Sequence, residues 1–267
     1  MLYQVDDWDD AYANGAHIPN AEAYFASWPQ SAAAFRDRHP PRDLGRGHLF
    51  MPQGTPRGLM VFIHGGYWMN TDPSFWSHLA EGALLAGWVA LLPGYTLAPE
   101  ARITQMTGQV ARQIATAAEQ VEGPIAITGH SAGGHLAARM VCDDGTLPAQ
   151  VLARVSACVP ISPLSDLRPL MRTAMNRTLM IDLPEALAES PALLQPAQGI
   201  PVTTWVGGSE RPEFLRQARL LADAWAGLGA ATECVTAPGR HHFNVVEDLM
   251  RPDAPLMTRL LAQSGSR

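Results

Sequence analysis

The chain has 267 residues and a formal net charge of −6, from 19 Lys and Arg against 25 Asp and Glu. Hydrophobic types make up 47% and charged types 16%. General disorder needs low hydrophobicity with high net charge, so it is excluded. The acidic balance, with no Lys/Arg-rich run, argues against nucleic acid as a partner. No apolar stretch approaches the roughly 18 residues of a membrane helix, so no membrane association is expected.

Residues 1–15 lack the basic start and apolar run of a secretory leader. Cys142, Cys158 and Cys234 form no CxxC pair, which predicts reduced thiols and a cytoplasmic setting. Residues 1–43 read as an N-terminal helical segment rich in aromatics, Trp8, Tyr12, Tyr24, Phe25, Trp28 and Phe35, which are expected to pack on the body or over a cleft. Within it, 21–36 predicts a helix broken near Pro29. From Arg57 the pattern changes. The runs GLMVFIHGG, WVALLPG (from Trp88) and PIAITGHSAGG (from Pro124) predict strands that end in turns, and VSACVPIS (from Val155), PVTTWVGG (from Pro201) and TECVTAPG (from Thr232) predict later strands. Helices are predicted over 74–86, 103–121, 132–143 and 212–228. This alternation predicts βαβ units and a mainly parallel sheet flanked by helices. Residues 163–199 are too long for a plain connection. They predict a small helical cap inserted into a single domain spanning 1–267, with Leu164, Leu167, Met171, Met175 and Met180 as its apolar residues.

Gly129-His130-Ser131-Ala132-Gly133 matches G-x-S-x-G between a strand and a helix. At such a cramped turn a Cβ on either glycine would clash, and the serine is left facing the cleft. Ser131 is therefore the candidate nucleophile. His64-Gly65-Gly66-Tyr67-Trp68 follows the first buried strand in the style of an oxyanion loop. Backbone N–H groups there stabilise charge developing on a carbonyl oxygen. Gly65 or Gly66 is the expected first donor and Ala132 the second. His64 is expected to hold the loop by hydrogen bonding. Tyr67 and Trp68 are candidate substrate contacts, with Trp76 also near the predicted cleft.

A serine hydroxyl needs a histidine base and a carboxylate that orients it, in the chain order Ser, Asp/Glu, His. His242, ahead of Phe243, is the expected base, with His241 as the alternative. Glu210, the first carboxylate beyond VTTWVGG, is the expected acid. Glu213 and the pair Glu247 and Asp248 are its alternatives. With no HExxH and no cysteine pairs, neither metal nor other cofactor is expected. A homodimer is left open.

Taken together, HGGYW, LPGYTLAPE, GHSAGGHLAARM, VGGSERPEFLRQ and HHFNVVEDL resemble the α/β-hydrolase superfamily. More narrowly they are similar to its serine-dependent arylformamidase (kynurenine formamidase) branch, near the hormone-sensitive-lipase-like esterases. The likeness covers about residues 14–250. It implies the α/β-hydrolase fold, with Ser131 as nucleophile, His242 as base and Glu210 where many relatives carry Asp. Related esterases often read YRLAPE where this chain has Tyr95-Thr96-Leu97-Ala98-Pro99-Glu100, which points toward the formamidase-like branch. The implied substrate is a small molecule, N-formylkynurenine or another aryl formamide from tryptophan breakdown. A short-chain carboxylesterase is the alternative enzyme. A non-catalytic binding module on the same scaffold is the alternative of another class. A substrate carboxylate would want an arginine, for which Arg172, Arg177 and Arg211 are candidates by location.

Overall fold

Every residue of the run Leu59–Ile63 is buried, on both of its alternating faces. That is the signature of a strand covered by a layer of structure on each side. The computed structural model describes residues 4–262 and contains eight strands. They are β1 (Arg42–Leu44), β2 (Gly47–Phe50), β3 (Leu59–Ile63), β4 (Val89–Leu92), β5 (Ile125–His130), β6 (Val155–Ile161), β7 (Val202–Gly207) and β8 (Thr232–Ala237). They form one sheet in the order β1-β2-β4-β3-β5-β6-β7-β8. β1 and β2 pair antiparallel, as do β2 and β4, and every other neighbouring pair is parallel.

The helices are α1 (Trp8–Tyr12), α2 (Ala21–Arg38), α3 (Glu81–Leu85), α4 (Ile103–Gln120), α5 (Ala132–Met140), α6 (Ala149–Leu152), α7 (Asn176–Leu179), α8 (Leu183–Glu189), α9 (Pro212–Ala226) and α10 (Pro255–Leu260). One core holds Leu59, Val61 and Ile63 together with α4, α5 and α9. In α4 the apolar positions Ile103, Met106, Val110 and Ile114 recur every three or four residues and are all buried. In α9 Phe214, Ala218, Leu221 and Trp225 do the same, behind a proline at the first helical position. The opposite core holds Met60 and Phe62 with Trp28 and Phe35 of α2 and Leu256, Met257 and Leu260 of α10.

Several predicted elements differ in detail. Residues 21–38 form an unbroken helix with Pro29 inside it. The carbonyl four residues back, on Phe25, loses its donor. Phe25 is on an exposed turn, however, and burial of Trp28, Ala32 and Phe35 holds the other face. The predicted N-terminal helical segment therefore stops before β1, and the β1–β2 hairpin was not foreseen. Residues 74–86 do not form one helix. Two 3-10 turns, Pro73–Phe75 and Ser77–Ala80, precede α3. Arg36 donates to the Ser74 carbonyl and to the Ser77 hydroxyl, so that carbonyl is diverted from a helical bond.

Residues 163–199 hold two 3-10 turns, α7 and α8. Of the apolar residues named there, Leu164 and Leu167 are buried, Met171 and Met175 half-buried and Met180 exposed. Met180 adopts a left-handed conformation at the end of α7, which turns its side chain outward. Ion pairs clamp α8 to the body: Arg102 to Glu185 (2.6 Å) and Arg139 to Glu189 (3.0 Å). Thr107 of α4 also donates to Glu189.

At the β5–α5 junction the backbone of Gly133 presses on the carbonyls of Ile63 and His64, and a Cβ there would overlap the Ile63 oxygen. Gly133→Ala should therefore force β3 and α5 apart. Overpacking of this kind costs about 3 kcal/mol. Urea unfolding should show a lower midpoint with an unchanged slope, and a midpoint equal to the parent's would contradict the close approach.

Candidate active site

The carboxyl ends of β3, β5, β6, β7 and β8 point to one edge of the sheet, where crevices of open parallel sheets bind ligands. Ser131 follows β5 directly. It sits at φ 58° and ψ −117°, a conformation rarely adopted by non-glycine residues. Its N–H donates to the Ile161 carbonyl at 2.8 Å, and its own carbonyl accepts from His135 N–H. Both bonds hold the strained turn in place. Gly129 and Gly133 meet across this turn with no room for a side chain between them, as predicted.

His242 and Ser131 line the same cavity, of about 740 Å³. The His242 Nδ1 atom lies 2.6 Å from Glu210 Oε2. A carboxylate can only accept, so the imidazole donates there. The neutral ring then keeps its lone pair on Nε2, as a general base requires. The other oxygen, Glu210 Oε1, accepts from the Ser162 hydroxyl at 2.6 Å and from Gly207 N–H at 2.7 Å. Two fixed donors on one oxygen leave the second for the imidazole. Ser162 was not foreseen. It stands one residue past β6 at φ 48°, and nothing in VPIS says which partner its hydroxyl will meet.

The alternatives for these roles are engaged elsewhere. Glu213 is buried on α9, where it pairs with Arg216 and accepts from Tyr12 and Gln217. Glu247 and Asp248 pair with Arg240. The His241 ring lies edge-on to Tyr24, with Nε2 3.3 Å from the Tyr24 hydroxyl. His130 stands beside His242, ring centroids 4.5 Å apart. Burial, with His242 adjacent, holds His130 well below the usual histidine range, so it stays neutral.

The candidate oxyanion loop is oriented by its carbonyls. The Tyr95 hydroxyl donates to the His64 carbonyl at 3.0 Å, and the Thr71 hydroxyl donates to that of Gly65 at 3.1 Å. A trans peptide sets N–H opposite C=O, so these bonds fix the Gly65 and Gly66 N–H groups. A Cβ on Gly65 would come within 3.2 Å of Ser131 Cβ, which measures how near the loop lies to the serine. Gly66, at φ +101°, leaves no space for a side chain against the Asn70 carbonyl. Ala132 is the first residue of α5, so its N–H has no intrahelical acceptor. The His64 ring stacks on Tyr95 at 4.3 Å with Nδ1 2.9 Å from the Gly65 carbonyl, and burial lowers its pKa to about 4.

Tyr67 lines the cavity, and its hydroxyl donates to the Tyr12 carbonyl at 2.5 Å. Trp68 does not. It is fully buried, edge-on to His135 at 5.2 Å, in the core. Positive φ at both Tyr67 and Trp68 turns the chain there, and the two side chains diverge. The expectation of a Trp68 substrate contact is thereby corrected. Trp76 is on the wall, joined by Trp28 at a centroid distance of 4.7 Å and by Phe243. Of the two readings of the N-terminal aromatics, Trp28 takes the one over the cleft, whereas Phe243 was not foreseen as a wall residue because the chain brings it from beyond β8. Among the described residues no group of three His, Cys, Asp or Glu could hold a metal ion. No helix among them is long and apolar enough to cross a membrane.

An eight-stranded, mostly parallel sheet flanked by helices, with a strained turn at its carboxyl edge, is the architecture of the α/β-hydrolase fold. A family described as alpha/beta hydrolase fold matches residues 60–245, and the chain belongs to it. It is 29% identical over 217 residues to a kynurenine formamidase of Salmo salar, covering 78% of this chain and 73% of that one. It is 28% identical over 210 residues to that of Danio rerio, covering 76% and 71%. Among solved structures, a Silicibacter protein with a provisional thioesterase description is 48% identical. It superposes with a TM-score of 0.91, covering 96% of this chain and 99% of that one. A Pyrobaculum calidifontis esterase shares the fold at 18% identity and a TM-score of 0.68, covering 90% and 94%.

The geometry separates two neighbouring glutamates. Glu210→Gln would present an amide N–H or a weaker acceptor to Nδ1 and disturb the imidazole tautomer. It should lower kcat by roughly 10³-fold or more. Glu213→Gln should act mainly on stability, by breaking a buried ion pair. Steady-state kinetics with thermal melting on both variants checks this, and the reverse ranking in kcat would move the acid to Glu213.

Proposed function

We propose that this chain is a serine hydrolase working through an acyl-enzyme, with an aryl formamide as its substrate. The observation that carries the mechanism is the chain of contacts from the Ser162 hydroxyl and Gly207 N–H through Glu210 to His242, on the cavity that Ser131 also lines. In this reading His242 Nε2 takes the proton of the Ser131 hydroxyl as its oxygen attacks the substrate carbonyl. Glu210 orients the ring and stabilises the imidazolium. Charge on the carbonyl oxygen is met by N–H groups of the Gly65–Gly66 loop and of Ala132. The imidazolium then protonates the leaving amine. Water repeats the sequence on the formyl-enzyme, releasing formate. No cofactor enters any step.

The aryl formamide assignment rests on two supports. The formamidase relatives of Salmo salar and Danio rerio align over most of both chains. The cavity wall is aromatic, with Trp28, Trp76, Phe75 and Phe243 around a space of about 740 Å³. A formyl group needs little of that space, and an aromatic leaving group fills the rest. N-formylkynurenine is the leading case. The three cysteines are unpaired, in keeping with a cytoplasmic setting. The Silicibacter relative's thioesterase description favours a second reading, hydrolysis of short acyl esters or thioesters on the same residues.

Replacing Ser131 with Ala should remove turnover by several orders of magnitude, leaving at most about 10³–10⁴-fold over water from binding and oxyanion contacts. Retained activity in the folded variant would end the serine mechanism. The substrate is tested by comparing kcat/KM for N-formylkynurenine with acetyl, butyryl and octanoyl esters and thioesters at one pH. The formamide should lead. An ester or thioester preferred by tenfold, about 1.4 kcal/mol in transition-state binding, would transfer the assignment to the second reading.

A further inference from the structure

Thr71 lines the cavity at the end of the loop that bears Gly65 and Gly66. Its φ is +67°, in the left-handed region, which a β-branched residue rarely enters. Such strain persists only where the surrounding structure over-determines it. The bonds that do so here meet on one atom. Thr71 Oγ1 lies 3.1 Å from the Gly65 carbonyl, 3.1 Å from Trp76 Nε1 and 3.2 Å from His64 Nδ1.

The proton of that hydroxyl has a single place to go. An indole N–H only donates, so Trp76 gives its proton to Oγ1. His64 Nδ1 is 2.9 Å from the Gly65 carbonyl, which only accepts, so Nδ1 bears the ring proton. Burial keeps that ring neutral, with its pKa lowered to about 4. Two of the three neighbours are thus donors, and the Gly65 carbonyl is the remaining acceptor. The hydroxyl is locked onto it, with its proton given to Gly65 and the Trp76 proton received.

The Gly65 carbonyl and the Gly66 N–H belong to one peptide plane. A donor fixed on the carbonyl fixes the direction of that N–H, and successive hydrogen bonds polarise one another in the same sense. The row of Trp76 N–H, Thr71 O–H, Gly65 C=O and Gly66 N–H therefore ends at the cavity, whose wall includes Gly66. The next carbonyl, that of Gly66, is held separately by the Met69 and Asn70 N–H groups, each at 3.0 Å. At the far end of the row the Trp76 ring is packed against Trp28 at 4.7 Å and Phe62 at 6.4 Å. That ring is itself part of the aromatic wall.

We infer that Thr71 and Trp76 are positioning residues for the oxyanion site. The indole N–H holds the Thr71 hydroxyl, and the hydroxyl aims the Gly66 N–H at the carbonyl oxygen that becomes negative. This rests on the serine-hydrolase reading above and adds two residues to it. One indole serves both halves of the site, its ring as wall and its N–H as the anchor of the oxyanion peptide. The row acts where charge develops, so it favours the transition state over the bound ground state.

Phenyl acetate is the kinetic probe, since both substrate readings allow its hydrolysis. Thr71→Val keeps the β-branched shape, and with it the backbone strain, while deleting the hydroxyl. It should lower kcat by about ten- to a hundredfold, below the roughly 10²–10³ of losing an oxyanion donor outright. KM should stay within about twofold of the parent's. Thr71→Ser should restore most of the loss. Trp76→Phe, which keeps a ring on the wall, should lower kcat by roughly three- to tenfold, the worth of one neutral hydrogen bond.

A second readout follows the charge itself. With 2,2,2-trifluoroacetophenone, Ser131 Oγ adds to the carbonyl carbon, the C=O electron pair moves onto oxygen and the serine proton passes to His242 Nε2. The inhibition constant of this ketone should rise in each variant by the factor through which kcat/KM falls. That of phenol, the uncharged product, should stay within about twofold. Parental kcat and parental ketone affinity in either variant would overturn the proposal, as would a loss that appears equally in phenol binding. If Thr71→Val does not fold, Trp76→Phe decides by the same two readouts. A parent that neither hydrolyses phenyl acetate nor binds the ketone removes the serine reading and this proposal with it. A parent that does both, beside unaffected variants, removes this proposal alone.

Discussion

The first turn of α5 approaches the carboxyl ends of β3 and β6 more closely than side chains allow, and the site depends on that approach. Gly133 rests on the Ile63 and His64 carbonyls, and a Cβ on Gly134 would lie 2.6 Å from the Ile161 carbonyl. Only with this space free can Ser131 turn its chain through a left-handed conformation between strand and helix. The strain is offset by Ser131's own backbone bonds to Ile161 and His135. The same approach sets the Gly65 backbone beside Ser131. One steric condition therefore positions both the proposed nucleophile and the proposed oxyanion donors.

Electrostatic order around His242 comes from a different part of the sheet. Glu210 is brought in after β7 and Ser162 after β6, and their meeting depends on those strands being neighbours. A buried carboxylate without partners would be costly. Here Oε1 has two donors and Oε2 faces the imidazole, so both oxygens are partnered in the interior. Nearby, His64, His130 and His135 are kept neutral by burial. Among these rings only His242 has a carboxylate on one nitrogen and the cavity on its other side.

The N-terminal residues are part of the site because polar contacts carry them there. Tyr12 is buried between α1 and α9, with its ring edge-on to Phe214 and its hydroxyl on Glu213. Gln217 extends this network to the backbone of Ser165 and Asp166, at the start of the 163–199 insertion. The insertion reaches the cavity through Met175. This wall of the cavity is thus assembled from α1, α2, the 64–71 loop and the insertion. Each is a separate stretch of chain, and the reacting end is more local.

The strands β3 to β8, the G-x-S-x-G turn and the HGG loop were legible in the sequence because their causes are local. Buried strands show as short apolar runs, and crowded turns show as glycines. That Glu210 and His242 would meet could be expected from their order after the last strands, since the fold brings successive strand ends to one edge. Pro29 misled because its lost hydrogen bond falls on an exposed turn, where tertiary burial of the other face outweighs the local break. Trp68 misled because backbone φ decides which of two adjacent aromatics faces the cleft, and composition carries no φ. Ser162, Asn14 and Phe243 were invisible for a further reason. Asn14 and Ser131 are 117 positions apart in the chain, yet they share one wall. Whether a polar side chain is satisfied depends on partners from distant segments. The sequence by itself determined the strand–helix rhythm and the residue types able to carry the chemistry. The tertiary structure alone decided which of them meet, because burial and hydrogen bonding are completed between segments and not within them.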